Sequence, residues 1–461
     1  MYVPLLIEYG LIFPRYQPGG SSGFNPDSGI DPLSDANVCL RDATLMQRLG
    51  MNAVRVYNLN PDLDHSACAS IFNAAGIYMI LDVNSPLPNQ SLNRGSPWES
   101  YNSDYLTRVF EVVEGFMNFN NTLGFFSGNE VINEASVEQV PSYIRAVTRD
   151  IKDYISSQSP RQIPVGYSAA DVRPLLSSTW QYMSCDISDS PESKIDFFGL
   201  NSYSWCGGAT FETAGYDVLI SDFGNTTIPL FFSEYGCNLP AGVPRVFDEV
   251  PALYSSRMTP VFSGGLIYEY SQEPNDYGLV VLNDNGTVSL RQDYNNLRTQ
   301  YDSLDTSALE SSNATATSLQ PPACDASLIS AAGFTTSFEI PARPDGVDDL
   351  IKNGVPNKAS YRKNFVELNE TSPTQTVYDV NGSQLTGLQL VTLANDQSNL
   401  PGNNTSGTPG SGSDSGSGST SGTTTSSSPS STSTNSAVRF DDIKLCSLVL
   451  GTLTLGVFMH L

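Results

Sequence analysis

Apolar residues along the first 300 positions fall into short runs separated by amphipathic stretches, an alternation of strand and helix signals. The strand runs are Ala53–Tyr57, Ile77–Val83, Thr122–Glu130, Ile163–Tyr167, Phe197–Tyr203, Leu230–Glu234 and Leu266–Tyr270, after an irregular first segment ending at Tyr16-Gln17-Pro18. Between them, Ser34 caps a helix with Cys39, Ala43, Met46 and Leu49 on one face, and Gly50 stops it. Cys68 to Ala75 forms a second helix closed by Gly76. Tyr105 to Phe119 turns Val109, Val112, Val113 and Phe116 inward, Pro141 opens a helix reaching about Ile155, and a last one runs from Leu290 to about Leu304. Eight such units predict an α/β fold, a (β/α)8 TIM barrel. A doubly wound open sheet is the alternative, but no Gly-rich phosphate loop follows the first strand.

Two strand runs end on an acid. Thr122-Leu-Gly-Phe-Phe-Ser-Gly-Asn129-Glu130 and Pro229-Leu-Phe-Phe-Ser-Glu234 each carry apolar residues up to a glutamate. At the carboxyl ends of the fourth and seventh barrel strands these acids face one mouth. A carboxylate pair is what glycosidic-bond chemistry requires, one ionised to attack the anomeric carbon and one protonated to donate to the leaving oxygen. Glu130, beside a Phe-rich strand, reads as the acid/base, its carboxyl raised by desolvation and by the second carboxylate. Glu234 reads as the nucleophile, Asn129 as a partner for a sugar 2-hydroxyl, and Arg55 as a cation paired with one glutamate. Tyr57, Tyr203, Trp205, Tyr268, Tyr270 and Tyr277 fall at or just after strand ends, where an aromatic with a polar tip suits a sugar face. Gln17, Asp82 and Asn201 hold comparable positions.

Composition narrows the partners. The 461-residue chain has 23 basic and 48 acidic residues, a net charge of −25, which disfavours nucleic acid. With only His65 and His460 as histidines, neither a Ser/His/Asp triad nor a His-based metal site is expected, and no cofactor is implied. His65 is expected at the surface. The seven cysteines show no zinc spacing, and removing Cys446 with the last apolar segment leaves an even set suited to disulfides. Together with sequons at Asn89, Asn120, Asn225, Asn285, Asn313, Asn369, Asn381, Asn403 and Asn404, they point to the secretory route.

Texture divides the rest. Residues 1–308 read as the catalytic barrel, 309–323 as a linker, and 324–395 as a small β-rich module with runs at Thr376-Val-Tyr-Asp-Val and Leu388-Gln-Leu-Val-Thr. Residues 396–437 read as a disordered Ser/Thr/Gly-rich stalk, and 438–461 as a removed signal for a glycosylphosphatidylinositol (GPI) anchor attached near Asn435. A retained membrane helix is the alternative for the apolar stretch Leu445–Leu461, which at seventeen residues is short for a span. Met1–Gly10 does not form a recognisable signal peptide.

The motifs Tyr16-Gln-Pro-Gly-Gly-Ser-Ser, Asn52-Ala-Val-Arg-Val-Tyr57, Ile80-Leu-Asp82-Val-Asn-Ser-Pro, Gly128-Asn-Glu130-Val, Gly199-Leu-Asn-Ser-Tyr203-Ser-Trp-Cys206 and Phe232-Ser-Glu234-Tyr-Gly-Cys237 resemble the fungal GPI-anchored β-1,3-glucanosyltransferases of glycoside hydrolase family 72. The resemblance implies a retaining enzyme that cleaves β-1,3-glucan internally and passes the new reducing end to the non-reducing end of another chain. It implies Glu130 as acid/base and Glu234 as nucleophile, with Gln17, Tyr57, Asp82, Asn129, Tyr203, Tyr268 and Tyr277 lining the subsites. It further implies disulfides Cys39–Cys68, Cys185–Cys324 and Cys206–Cys237, donor and acceptor glucan chains as partners, and a monomer on the outer face of the plasma membrane and in the cell wall. Two departures stand out: Pro14 would interrupt a first-strand ladder, and no cysteine lies between Cys324 and Cys446, so the cysteine-rich carbohydrate-binding module of one family branch is absent. An endo-β-1,3-glucanase and a non-catalytic glucan-binding wall protein are the competing functions.

Overall fold

The computed structural model describes residues 31–135, 139–310, 319–395 and 397–409. The expectations for Gln17, Asn435, the first strand, the stalk beyond 409 and the apolar tail lie outside the described residues. Seven parallel strands pair in sequence order: β1 (Ala53–Val56), β2 (Tyr78–Asp82), β3 (Thr122–Asn129), β4 (Val165–Ala170), β5 (Phe197–Asn201), β6 (Leu230–Tyr235) and β7 (Phe262–Ile267). The outermost two, β1 and β7, come back into contact, so the sheet is nearly closed. Helices α1 (Ala36–Leu49), α2 (Ser66–Ala74), α3 (Pro97–Ser100), α4 (Ser103–Phe116), α5 (Val140–Gln158), α6 (Arg173–Ser184), α7 (Tyr216–Phe223), α8 (Glu249–Leu253) and α9 (Gln292–Asp302) accompany them. The architecture is a TIM barrel.

Local signals explain most boundaries. Asp35, one residue past the expected Ser34, caps α1 by accepting from the Asn37 and Val38 N–H groups, while the Ser34 hydroxyl turns back to Asp31. Gly50 ends that helix at φ +83°, where a Cβ would lie 2.6 Å from Pro401. Asn102 caps α4, and Pro141 sits in the first turn of α5. The seventh strand differs from its prediction. It runs Phe262–Ile267 rather than Leu266–Tyr270, because Ser263-Gly264-Gly265 breaks the apolar run that advertises a strand. Glycine is required at 265, since a Cβ there would come within 2.9 Å of Phe232 and the Tyr235 ring on β6.

Helices and outward strand residues share one large core, while Ala53, Ile80, Phe126, Phe197, Phe231 and Leu266 form a separate apolar cluster. His65 is a correction to the sequence reading. It is 1% exposed, stacks on Phe116 and meets Asp31 Oδ2 at 2.7 Å, so it belongs to the core and not to the surface.

Past β7 the chain adds the hairpin β8 (Val280–Leu282) and β9 (Val288–Leu290), then α10 (Thr306–Glu310), α11 (Val347–Asn353) and α12 (Lys358–Tyr361). Two-residue strands β10 (Val377–Tyr378), β11 (Leu385–Thr386) and β12 (Thr408–Pro409) complete the described elements. The run at Thr376 supplies β10, which pairs with β9 of the barrel hairpin. The run at Leu388 forms no strand: Val391 exchanges bonds with the Gln47 side chain of α1, and Leu393 N–H donates to Ala74 O. This segment therefore spends its backbone groups on the barrel's helices. The stretch ahead of α11 is fastened separately, by Arg343 to Asp150 of α5 at 2.9 Å. The Cys185–Cys324 disulfide closes a loop of 139 residues, worth about 4–5 kcal/mol by chain entropy. Cys39–Cys68 and Cys206–Cys237 are also bonded. Asn404 is 1% exposed and donates to Gln47 Oε1 and Gln389 O, so that sequon is a buried structural asparagine.

Candidate active site

The carboxyl ends of the strands enclose a cavity of about 570 Å³. Glu130, Glu234, Tyr57, Asp82, Asn129, Tyr203, Tyr268 and Tyr277 all line it. Two other aromatic candidates do not. Trp205 packs on Tyr216 and donates its indole N–H to Asp248, and Tyr270 is fully buried with its hydroxyl on Asp42 Oδ1. Both stand near strand ends but face the helix layer.

Each glutamate is delivered by an irregularity. In β3 the pairing with β4 shifts between Phe126 and Gly128, inserting a residue just ahead of Asn129-Glu130. Such a bulge re-aims the side chains beyond it. Glu130 then adopts φ +50°, a left-handed conformation that costs a non-glycine residue on the order of 1–3 kcal/mol. Its N–H donates to Ser168 O on β4. Glu234 lies within β6, opposite Asn201 of β5 after another register shift.

Arg55, fully buried, wires the floor. Its Nε and Nη2 grip both oxygens of Asp82 at 2.8 and 2.9 Å, Nη2 also reaches Asn129 Oδ1 at 2.9 Å, and Nη1 approaches Glu234 Oε1 at 3.4 Å. Burial pulls the guanidinium towards neutrality, but Asp82, Tyr57 and Glu234 more than offset this and hold it charged. Its plane sits 4.3 Å from the ring centres of both Phe126 and Tyr57. Tyr57 and Tyr203 donate their hydroxyls to Glu234 Oε1 and Oε2, at 2.5 and 2.6 Å. Two O–H donors and a cation on one carboxylate favour its ionised form.

Glu130 has a different environment. Asn201 Nδ2 donates to its Oε1 at 2.7 Å and to Asn129 Oδ1 at 3.1 Å. With its oxygen taken by Arg55 and Asn201, Asn129 offers a ligand its amide N–H groups. Asn201 Oδ1 accepts from Ser168 and Ser233 hydroxyls at 3.0 and 2.7 Å, which fixes the orientation of the amide. Around the mouth, Tyr203, Tyr268 and Tyr277 meet edge to face, with ring centres 5.0 to 6.1 Å apart. Burial raises the Tyr277 hydroxyl above the usual phenol range, so it stays a donor.

Sequence reasoning missed Asn58, Asn84, Ser85, Ser91, Leu92 and Asn275, which also line the cavity. They sit on loops, where side chains carry no periodic signal; Asn84 and Ser85 fall inside the Asp82-Val-Asn-Ser-Pro motif, which gave them no role of their own. Among the described residues no group of three or more metal-ligating side chains is present.

A TIM barrel carrying two glutamates at strand carboxyl ends, one gripped by tyrosine hydroxyls, defines a glycoside-hydrolase class of site. Residues 13–305 match the glucanosyltransferase family, glycoside hydrolase family 72, and the chain belongs to it. It is 56% identical over 393 residues to 1,3-beta-glucanosyltransferase gel2 of Aspergillus fumigatus, covering 85% of this chain and 81% of that one. It is 49% identical to the probable 1,3-beta-glucanosyltransferase GAS3 of Saccharomyces cerevisiae, covering 74% and 67%. Among solved structures it is similar to a glutamate-to-glutamine mutant of Saccharomyces cerevisiae Gas2p in complex with laminaritetraose and laminaripentaose, at 35% identity and a TM-score of 0.62, covering 73% and 70%.

Proposed function

We propose that this protein is a retaining β-1,3-glucanosyltransferase that elongates cell-wall glucan. The carrying observation is the different setting of the two acids: Glu234 receives two tyrosine hydroxyls and a guanidinium, whereas Glu130 accepts from the Asn201 amide and stands in a strained turn. Glu234, kept anionic, attacks the anomeric carbon of a glucosyl unit. Glu130 donates its proton to the departing glycosidic oxygen, and the chain's new reducing end stays esterified to Glu234. In the second half Glu130 takes the proton from an acceptor hydroxyl, which attacks the same carbon and frees Glu234. Asn129 holds the 2-hydroxyl, Asp82 acts through Arg55, and Tyr268 and Tyr277 form the acceptor platform that lets a sugar outcompete water at ~55 M.

The oligosaccharide-bound Gas2p relative supports a β-1,3-glucan ligand for the cleft. Secretion to the wall, a GPI anchor near Asn435, a monomeric state and the division into barrel, linker (309–323), module and anchor signal (438–461) belong to the same reading, with the packed module extended from 324–395 through Pro409, because Asn404 is buried and Thr408–Pro409 pairs with β11, and the stalk therefore beginning after it. It is tested by incubating the enzyme with a reduced laminari-oligosaccharide. Products longer than the substrate are expected; fragments alone would make it an endoglucanase, and no products would leave a glucan-binding wall protein.

A further inference from the structure

Two hollows lie between α5 and the segment around residues 335–348, and their linings differ. One, of about 700 Å³, is charged, with Arg149, Asp153, Asp189, Glu192, Arg343 and Asp348 on its walls. The other, of about 780 Å³, is lined by Trp98, Tyr101, Tyr143, Gln139, Ser142 and Thr335, with Glu339 the sole charged residue among the described residues of its wall. In a chain of net charge −25 such a wall is fitted to an uncharged ligand rich in hydroxyls.

Trp98 gives this hollow its flat apolar face. It is 51% exposed, whereas Trp180 and Trp205 are 4% and 9% exposed. Burying such a ring against a ligand removes a large apolar surface from water while Gln and Ser side chains nearby supply hydrogen bonds. Tyr143 stands edge-on to Tyr101 at 5.6 Å, and Tyr101 is held by Asp150 at 2.5 Å, so the back wall is rigid.

Chain connectivity places the hollow on the cleft's side of the barrel. Ser91 and Leu92 line the catalytic cavity, and Trp98 follows Leu92 by six residues, a reach of at most ~20 Å. The Ser100 hydroxyl accepts from Asn93 N–H at 2.8 Å, tying the intervening loop to α3. Gln139, Ser142 and Tyr143 occupy the start of α5, the helix after the Glu130 strand, at the same rim.

We infer that the Trp98–Tyr143 hollow is a second glucan-binding site, which holds a neutral β-glucan chain outside the catalytic cleft. The inference rests on the transferase reading, and its role is to raise the local concentration of long chains at the mouth. Short oligosaccharides that fill only the cleft do not need it.

The test compares wild type with Trp98→Ala and Trp98→Phe. Electrophoresis through gels containing laminarin reads long-chain retention, and transfer on reduced laminari-oligosaccharides reads the cleft. Trp98→Ala is expected to weaken retention about 5- to 10-fold and raise KM for long glucan, with transfer between short chains and the melting temperature unchanged. Trp98→Phe restores part of the retention. Equal retention by Trp98→Ala overturns the inference while leaving the transferase reading intact, and equal losses on long and short substrates overturn it too. Failure of wild type to lengthen any short chain counts instead against the transferase reading.

Discussion

The barrel interior contains two layers a few ångströms apart with opposite chemistry. Below lie Ala53, Ile80, Phe126, Phe197, Phe231 and Leu266, a dry plug in which Phe126, Phe197 and Phe231 contact one another with ring centres 5.2 to 6.2 Å apart. Two residues further along four of the same strands come Arg55, Asp82, Gly199 and Ser233, followed by Asn201 and Glu234. Residues two apart on a strand share a face, so one step along the strand pair repeat exchanges phenyl rings for a hydrogen-bonded lattice. Arg55, seated between Phe126 and Tyr57, joins the layers. The difference teaches that the plug sets depth and dryness, while the lattice sets charge.

The largest change comes from the lattice's acids. Glu234→Gln should lower transfer by ~10³-fold or more, and Glu130→Gln by ~10²- to 10⁴-fold, with melting temperatures close to wild type. Activity rates and calorimetry on the same preparations check this, and a retained rate in either variant removes that residue from the chemistry. Arg55→Met attacks the joint between layers: it leaves Asp82 buried without its cation and should cost about 3–5 kcal/mol of stability by denaturant unfolding. Phe126→Ala opens a cavity in the plug at a cost of about 3–5 kcal/mol and should also lower activity, because the guanidinium loses the ring it rests on. If Phe126→Ala unfolds more easily yet turns over normally, the two layers are independent.

A third acid sharpens the contrast from outside the barrel. Burial pushes the Glu249 carboxyl up to about 7, with Asp248 adding to the shift and Arg245 opposing it. Its folded-state value lies above the unfolded one near 4.5, so the folded chain binds the proton more tightly. The neutral form's contribution is complete below about pH 4.5 and is lost as pH rises through about 7. Glu249→Gln should therefore flatten the pH dependence of the melting temperature and gain up to about 3 kcal/mol near neutrality. An unchanged pH profile would show that the group is ionised in the fold.

Much of this was legible because it repeats. Apolar runs marked six of the seven described strands, and the run-to-glutamate endings of β3 and β6 marked both acids, since a buried strand that stops on a carboxylate has few other uses for it. Arg55 inside an apolar strand announced a buried counter-ion. What escaped had no repeat to betray it. Two glycines concealed the first half of β7, because the signal is the side chain and glycine has none. Trp205 and Tyr270 share the strand-end position of the cleft tyrosines, but the direction of a side chain beyond a strand depends on backbone turns invisible in spacing. Ser168 and Ser233 were illegible for the same reason that makes them useful: a small hydroxyl fits inside a strand without disturbing its pattern.

Those serines yield the smallest and most discriminating effect. Asn201 donates to Glu130 only while its oxygen faces Ser168 and Ser233; a flipped amide would present that oxygen to the carboxylate and repel it. The serine hydroxyls also lie 2.9 Å from each other, so they form one unit. Ser233→Ala leaves Ser168 as a donor and should lower kcat only about 3- to 10-fold, as the loss of one hydrogen bond of about 1 kcal/mol implies, with KM unchanged. Removing both hydroxyls frees the amide to flip, so the double variant should lose more than the product of the two single losses. A strictly multiplicative double variant would mean that the Asn201 orientation is set elsewhere, by its contact with Asn129.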